Sequence, residues 1–196
     1  MSSAECAREA GNYQQAAAHA TEAIAAFDSL GRPLDAGYAA GILGMTLTSL
    51  QDNARAIEVA LPRWRELDGV PGSQSALLRL TSALGAAYSY RGDLDAAARF
   101  TERRLVLAEA LADPEAIAHS QLNLGAHYGG LGATLTSRVM YESAAQIARQ
   151  HGLPARLAMA LNNLVTSLVG RDLPAALAAG QESVEVQVRT LGEIPE

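Results

Sequence analysis

One stretch, Leu84-Gly85-Ala86-Ala87-Tyr88-Ser89-Tyr90-Arg91-Gly92-Asp93-Leu94-Asp95-Ala96-Ala97, recurs along this chain and limits what it can fold into. It reads as the end of one helix, a tight turn, and the start of the next. Leu124-Gly125-Ala126-His127-Tyr128, followed by Gly129-Gly130-Leu131-Gly132, repeats it. So does Leu164-Val165-Thr166-Ser167-Leu168, followed by Gly170-Arg171-Asp172, and upstream Leu43-Gly44-Met45-Thr46-Leu47 fills the same slot. The register Gly44, Gly85, Gly125, Val165 has intervals of 41, 40 and 40 residues. Pro33, Pro71, Pro114 and Pro154 recur independently, at intervals of 38, 43 and 40. Each proline stands where a new helix would begin, and a first helical turn tolerates its missing N–H. Two unrelated markers at one period identify an internal helical repeat.

Composition agrees. Alanine accounts for 40 of 196 residues, aromatics for 5%, and 49% of the chain is hydrophobic. Alanine has the best helix propensity and lets helix axes approach closely. No strand-like alternation runs over four or more residues.

Taken in order, residues 2–10 read as the last turns of a helix, Gly11-Asn12 as a turn, and 13–29 as a helix. Helices follow over about 34–50 and 53–67, the latter capped by Asp52-Asn53. Pro62 is expected to kink or shorten it. After the break Gly69-Val70-Pro71-Gly72, with Ser73 as cap, come 73–90 and 93–111. Asp113-Pro114-Glu115 starts 114–129. The turn Gly129-Gly130-Leu131-Gly132 reads as unusually loose before 134–150. The last pair spans 154–169 and 173–190, with Asp172 as cap, and 191–196 should fray. The expected fold is all-α: five antiparallel helix pairs, the first with a shortened leading helix. No pair can bury its apolar stripe alone, so neighbours stack into a right-handed superhelix. The whole chain reads as one domain of units 1–31, 32–70, 71–112, 113–152 and 153–191.

The Leu-Gly-x-x-Tyr pattern, a Gly-Asp-Leu turn and a small residue a dozen positions on resemble the tetratricopeptide repeat (TPR). Leu84, Gly85, Tyr88, Gly92 and Ala97 match it well. Leu124, Gly125, Tyr128, Gly132 and Ser137 match, as do Leu43, Gly44, Leu47 and Ala56 with Leu for Tyr. Leu164, Val165, Leu168 and Ala176 match more weakly, and Gly11, Tyr13 and Ala16 match only the second half of a unit. The units are longer than the usual repeat. That variant is similar to repeats of bacterial signalling and transcription regulators and of kinesin light chains. The resemblance implies a binding scaffold rather than an enzyme, with the first helix of each pair lining a groove. The recurring Gly85, Gly125, Tyr88, Tyr128, Ala56 and Ala97 have a packing role in this reading.

Groove candidates are the neighbours of the Leu-Gly pair that point inward. They are Tyr38, Met45 and Thr48 in the second unit, and Arg79, Ser82, Ser89 and Tyr90 in the third. The fourth contributes His119, Leu122, Asn123 and Ala126, and the fifth Met159, Asn162, Asn163 and Thr166. Asn123 and Asn163 occupy one slot in successive units. A primary amide both donates and accepts, which suits the backbone of an extended peptide, and in proteins this chain resembles such asparagines clamp peptides; the bland alternative is a bridge between helices. Arg79 either pairs with a carboxylate or is solvated. His119, Asn123 and His127 share a stripe, but the two histidines lie about 12 Å apart along a helix, too far to share a metal. Trp64 is either packed at the Pro62 kink or exposed as an anchor.

Several classes are disfavoured. There is no lysine; all 15 basic residues are arginine, which points to GC-rich coding as in a high-GC bacterium. The net charge is −6 with no long basic cluster, against direct nucleic-acid binding. Cys6 is the only cysteine, which fits a reducing cytoplasm and gives no basis for a metal site. No signal peptide or membrane-length apolar run occurs. Phosphate loops, nucleophile elbows and metalloprotease motifs are absent, so no catalytic residue, cofactor or metal is expected. The expected partner is a protein or peptide. The lack of a polar capping helix at either end points to a homodimer through exposed terminal repeats, or to a repeat fragment of a longer regulator. An enzyme or small-molecule binder using the groove is a third reading.

Overall fold

The computed structural model describes residues 3–9 and 11–192, without the side chains of Cys6, Glu9 and Leu191. Among the described residues there are ten helices and no strand. They are α1 (Ser3–Glu9), α2 (Tyr13–Ser29), α3 (Pro33–Ser49), α4 (Asn53–Leu67), α5 (Gln74–Tyr90), α6 (Leu94–Ala110), α7 (Pro114–Gly130), α8 (Thr134–Gln150), α9 (Pro154–Leu168) and α10 (Leu173–Gly192). The odd-numbered helices lead the five pairs and the even-numbered ones close them. The expected bounds of α2, α4 and α8 hold to the residue, and Leu191 and Gly192, expected to fray, continue α10. Residue 2, residue 10 and the expected frayed end beyond Gly192 lie outside the described residues.

The turns explain the regularity. Gly11, Gly31, Gly92, Gly132, Gly152 and Gly170 all take positive φ after a helix, where a left-handed residue ends the helix and lets the chain reverse. The next residues cap the following helix. Asn12, Asp52, Asp93, Asp113 and Asp172 each accept a hydrogen bond from the backbone N–H three residues on. Pro33, Pro114 and Pro154 open α3, α7 and α9. Pro71 instead sits in the turn before α5, and Ser73 gives no cap: its hydroxyl donates backward to the Val70 carbonyl at 2.7 Å.

One expectation about the turns is corrected. The turn after α7 is not loose. Gly129 and Gly130 are helical, and Gly132 N–H and Ala133 N–H bond to the Gly129 and Tyr128 carbonyls, as Gly92 and Asp93 do to Ser89 and Tyr88. The glycine at 129 makes room, because a Cβ there would lie 3.1 Å from Ser137 Oγ. Pro62 lies inside α4, which keeps the expected bounds and runs on to Leu67. Its 15 residues match α9, which contains no internal proline.

The chain divides into two compact units, Met1–Leu107 and Ala108–Glu196. In the first, α3 packs on α2, α4 and α5, and α4 on α5. Glycine sets how near α3 and α5 lie: a Cβ on Gly41 would stand 2.9 Å from the Arg79 backbone carbon. The closing helices are joined on the aromatic side by Trp64 of α4. It meets Phe100 edge-on at 5.3 Å, and Phe100 stacks on Tyr88 at 5.5 Å. Trp64 is thus a packed residue rather than an exposed anchor. In the second unit α7 packs on α8, α8 on α9, and α9 on α10. Their core holds Leu122, Tyr141, Ala145, Leu157, Leu161 and Leu164. A Cβ on Gly125 would fall 2.4 Å from the Tyr141 ring, so this glycine admits the closing helix of its own pair.

Candidate partner-binding faces

Each unit presents leading helices whose recurring residues are inside. Leu43, Gly44, Leu84, Gly85, Leu124, Gly125 and Leu164 are buried, as are Ala56, Ala97, Ser137 and Ala176 on the closing helices. Of the groove candidates that differ between repeats, all but Thr48 and Leu122 reach the surface. Tyr38 and Arg79, in equivalent slots of α3 and α5, are half-buried, and so is His119 in that slot of α7; Met159 of α9 is exposed.

In the first unit the structure brings Tyr38 and Arg79 together through a residue that sequence reasoning missed. The Tyr38 hydroxyl donates to Glu5 Oε1 at 2.9 Å. Arg79 Nη2 donates to the same oxygen and to the Tyr38 hydroxyl, both at 3.0 Å. The guanidinium also lies over the Tyr38 ring, 5.2 Å from its centroid, a cation–π geometry. The carboxylate beside Arg79 is therefore the chain's own. Nothing local marks Glu5, since its partners are 33 and 74 residues away.

Further along this face, Ser82 and Ser89 are half-buried and Tyr90 is 65% exposed. Met45 is partly buried against the core. Thr48 is no groove residue: it is buried, with its hydroxyl on the Met45 carbonyl at 2.7 Å.

In the second unit, Asn123 and Asn163 are half-buried in one slot. The same slot in the first unit holds Ile42 and Ala83, both in the core. Asn162 is exposed and accepts the Ser183 hydroxyl of α10 at 2.8 Å, and Gln187 in turn donates to Ser183 at 3.0 Å. Its amide therefore bridges the last helix pair. Thr166 is exposed, its hydroxyl on the Asn162 carbonyl at 3.2 Å. Ala126 is exposed, whereas Leu122 belongs to the core. His127, on the stripe of His119 and Asn123, is buried, and burial holds its imidazole below the ordinary histidine pKa. Among the described residues, no three His, Cys, Asp or Glu side chains are grouped to hold a metal ion. Nor is any helix among them long and apolar enough to cross a membrane.

Ion pairs join successive helices. On the closing helices Arg63 pairs with Asp28, Arg103 with Asp68 at 2.7 Å, and Arg149 with Glu182 through two bonds of 2.6 and 2.7 Å. The hydrogen bonds from Arg149 hold the Glu182 carboxyl below its usual pKa. On the leading helices Arg156 pairs with Glu115 at 2.7 Å.

No protein-family model and no curated protein matches the sequence. Solved structures do. An array of nearly identical TPR-like repeats from Podosopora anserina, of the kinesin light chain kind, is 14% identical, with a TM-score of 0.73 over 97% of this chain and 93% of that one. A signal-transduction ATPase with numerous domains and a tetratricopeptide repeat sensor, from Pyrococcus horikoshii, is 14% identical, with a TM-score of 0.81. Aspartyl phosphate phosphatase F from Bacillus subtilis is 10% identical, with a TM-score of 0.79. The matches cover 94% and 97% of this chain but 28% and 50% of those two proteins. Identities this low speak to architecture alone, and the architecture they share with this chain is the TPR-like stack of helix pairs.

Proposed function

We propose that this chain is a protein-interaction scaffold that binds a peptide segment or partner protein along its leading helices, in the cytoplasm of a bacterium and within a signalling or transcription-regulator system. One observation carries the reading: the recurring Leu-Gly and small-residue positions are buried, and most of the groove candidates that differ between repeats reach the surface. Packing thus fixes the frame, while the face is free to take the chemistry of a partner. Tyr38, Met45, Arg79, Ser82, Ser89 and Tyr90 form the binding face of the first unit. His119, Asn123, Asn162, Asn163 and Thr166 form that of the second. Scaffolding, not catalysis, is the role assigned to both.

Affinity capture from the source organism, with proteins and small molecules both identified by mass spectrometry, supplies the ligand. Its affinity is then measured against Tyr90→Ala and against Asn123→Ala/Asn163→Ala. Loss of binding in either variant supports the reading. Unchanged binding in both overturns the assignment of these faces.

A second reading is a sensor segment of a longer regulator. It is favoured by the match to a fraction of a protein whose repeats are described as a sensor. A ligand that binds this chain and shifts the activity of a fused or neighbouring regulator domain would support it.

A further inference from the structure

A cleft of about 420 Å³ opens between the closing helices α8 and α10, over the turn that joins α8 to α9. Its floor is apolar: Leu157 is buried, and Leu153 and Val186 pack partly against the same core. One wall is the Arg149–Glu182 pair, whose two bonds of 2.6 and 2.7 Å commit both groups to each other. Glu182, Glu185, Val186 and Arg189 fall at i, i+3, i+4 and i+7, so they share one side of α10. The reach of Glu182 to Arg149 means that this side faces α8. Every wall of the cleft is therefore supplied by α8, α9 and α10 themselves. None of its lining residues belongs to the partner-binding faces.

The first unit fills the same seam. There Arg63 of α4 pairs with Asp28 of α2, as Glu182 of α10 pairs with Arg149 of α8. Four residues after Arg63 and Glu182 come Leu67 and Val186. Leu67 is 2% exposed and so tight on α3 that a Cβ on Gly37 would strike its Cδ1. Val186 is a methylene shorter and only half-buried. Helix α4 also stops at Leu67, whereas α10 runs six residues beyond Val186 and so brings Arg189 to the cleft.

The charges select the ligand. Arg149, Arg189, Glu182 and Glu185 sum to zero, so the lining as a whole favours neither a plain anion nor a plain cation. Arg149 and Glu182 engage each other. Glu185 and Arg189 do not: they stand at i and i+4 in the favourable order, yet neither has an ion-pair partner among the described residues. A carboxylate on Arg189 and an ammonium on Glu185 would complete both. A free α-amino acid carries the two charges on one carbon, whereas a peptide end carries only one of them. The apolar floor suits its side chain, and the volume is that of a small-ligand site.

We propose that this cleft binds a free α-amino acid with an apolar side chain, its carboxylate on Arg189, its ammonium on Glu185 and its side chain on Leu153, Leu157 and Val186. The site does not depend on the partner-binding faces, so Tyr90→Ala leaves it intact.

The test titrates the 196-residue chain with L-leucine and L-phenylalanine by calorimetry. Saturable binding of at least one is expected. Its des-amino and decarboxylated analogues keep the side chain but lose one charge, and each should bind at least about 10-fold more weakly. Arg189→Gln and Glu185→Gln, both at exposed positions, should each weaken binding by a similar factor with unchanged helical content. Val186→Leu, which puts the α4 residue type in this seam, should fill the cleft and abolish binding while the protein stays folded. No saturable binding of either amino acid, equal binding of an analogue, or undiminished binding in any of the three variants would overturn the proposal.

Discussion

Arg79 and Glu5, 74 residues apart, share a hydrogen-bonded ion pair of 3.0 Å that ties α1 to α5. Helix α1 has seven residues, too few to hold itself together in water. Its place depends on packing and on this pair. Side-chain exposures of 33% for Arg79 and 12% for Glu5 put the pair between the surface and buried limits. Glu5→Gln is expected to cost about 1–2 kcal/mol. The specific sign is loss of amide protection in α1 ahead of the other helices, followed by hydrogen exchange. The same change frees Arg79 for an external carboxylate, so a partner that uses an acidic group there should bind more tightly to Glu5→Gln.

Two turns use the wrong residue for their backbone. Gln51 and Ala112 have φ of 63° and 49°, two residues past a helix end, in the position that glycine holds in seven other turns. A side chain in the left-handed region costs roughly 1–2 kcal/mol, and glycine's own entropy returns part of that difference. Gln51→Gly and Ala112→Gly should each stabilise the fold by about 0.5–1 kcal/mol, read as a raised urea midpoint with an unchanged slope.

The start of α8 lacks what other helices have. Ala133 occupies the N-cap with φ −79° and ψ 63°, close to the −89° and 64° of Asp52, and it has no side chain to accept a backbone N–H. Ala133→Asp should add the missing bond and the favourable charge at the helix start, stabilising by about 1 kcal/mol. Thermal unfolding of the variant against the parent decides it.

How much of this was readable beforehand follows from the range of each interaction. Helix ends were legible because turn glycines, capping aspartates and leading prolines act within four residues; α2, α4 and α8 needed no adjustment. The packing role of Gly85 and Gly125 was legible from recurrence, and Thr101 Oγ1 and the Tyr141 ring indeed stand 2.9 and 2.4 Å from where a Cβ would be. Local reasoning failed where two signals compete. Gly129-Gly130 reads as a loose turn because glycine is a poor helix former, yet the close approach of Ser137 rewards it inside the helix. It also failed wherever the partner lies on another helix. No periodicity points Glu5 at Arg79, or Asn162 at Ser183.

Gly41 offers a sharper test of close packing than the turns do. A Cβ there would stand 2.5 Å from Arg79 Cβ and 2.9 Å from its backbone carbon, and backbone cannot swing aside. Gly41→Ala gains helix propensity of about 1 kcal/mol. It is nevertheless expected to destabilise, because overpacking costs about 1–3 kcal/mol and here pushes α5 off α3. The Tyr38–Arg79 contact should loosen with it, seen as a change in tyrosine fluorescence. A stabilised Gly41→Ala protein would contradict the α3–α5 spacing.

The pH dependence of stability has two windows. Burial lowers the His127 pKa from 6.5, so the unfolded chain binds this proton more readily than the folded one. Its contribution is whole above the unfolded value and is lost as pH falls from there through the folded pKa. Glu182, held below 4.5 by the hydrogen bonds from Arg149, gives a contribution that is whole above 4.5 and lost on further acidification through its folded pKa. Urea unfolding from pH 8 down to about pH 2.5 should therefore show stability falling first below about pH 6.5 and again below about pH 4.5. His127→Gln, which cannot take up the proton, should flatten that first decline and leave the acid limb. Glu182→Gln should flatten the acid limb and leave the first decline. If the His127→Gln protein kept the slope below pH 6.5, the burial of a neutral imidazole would not be its source.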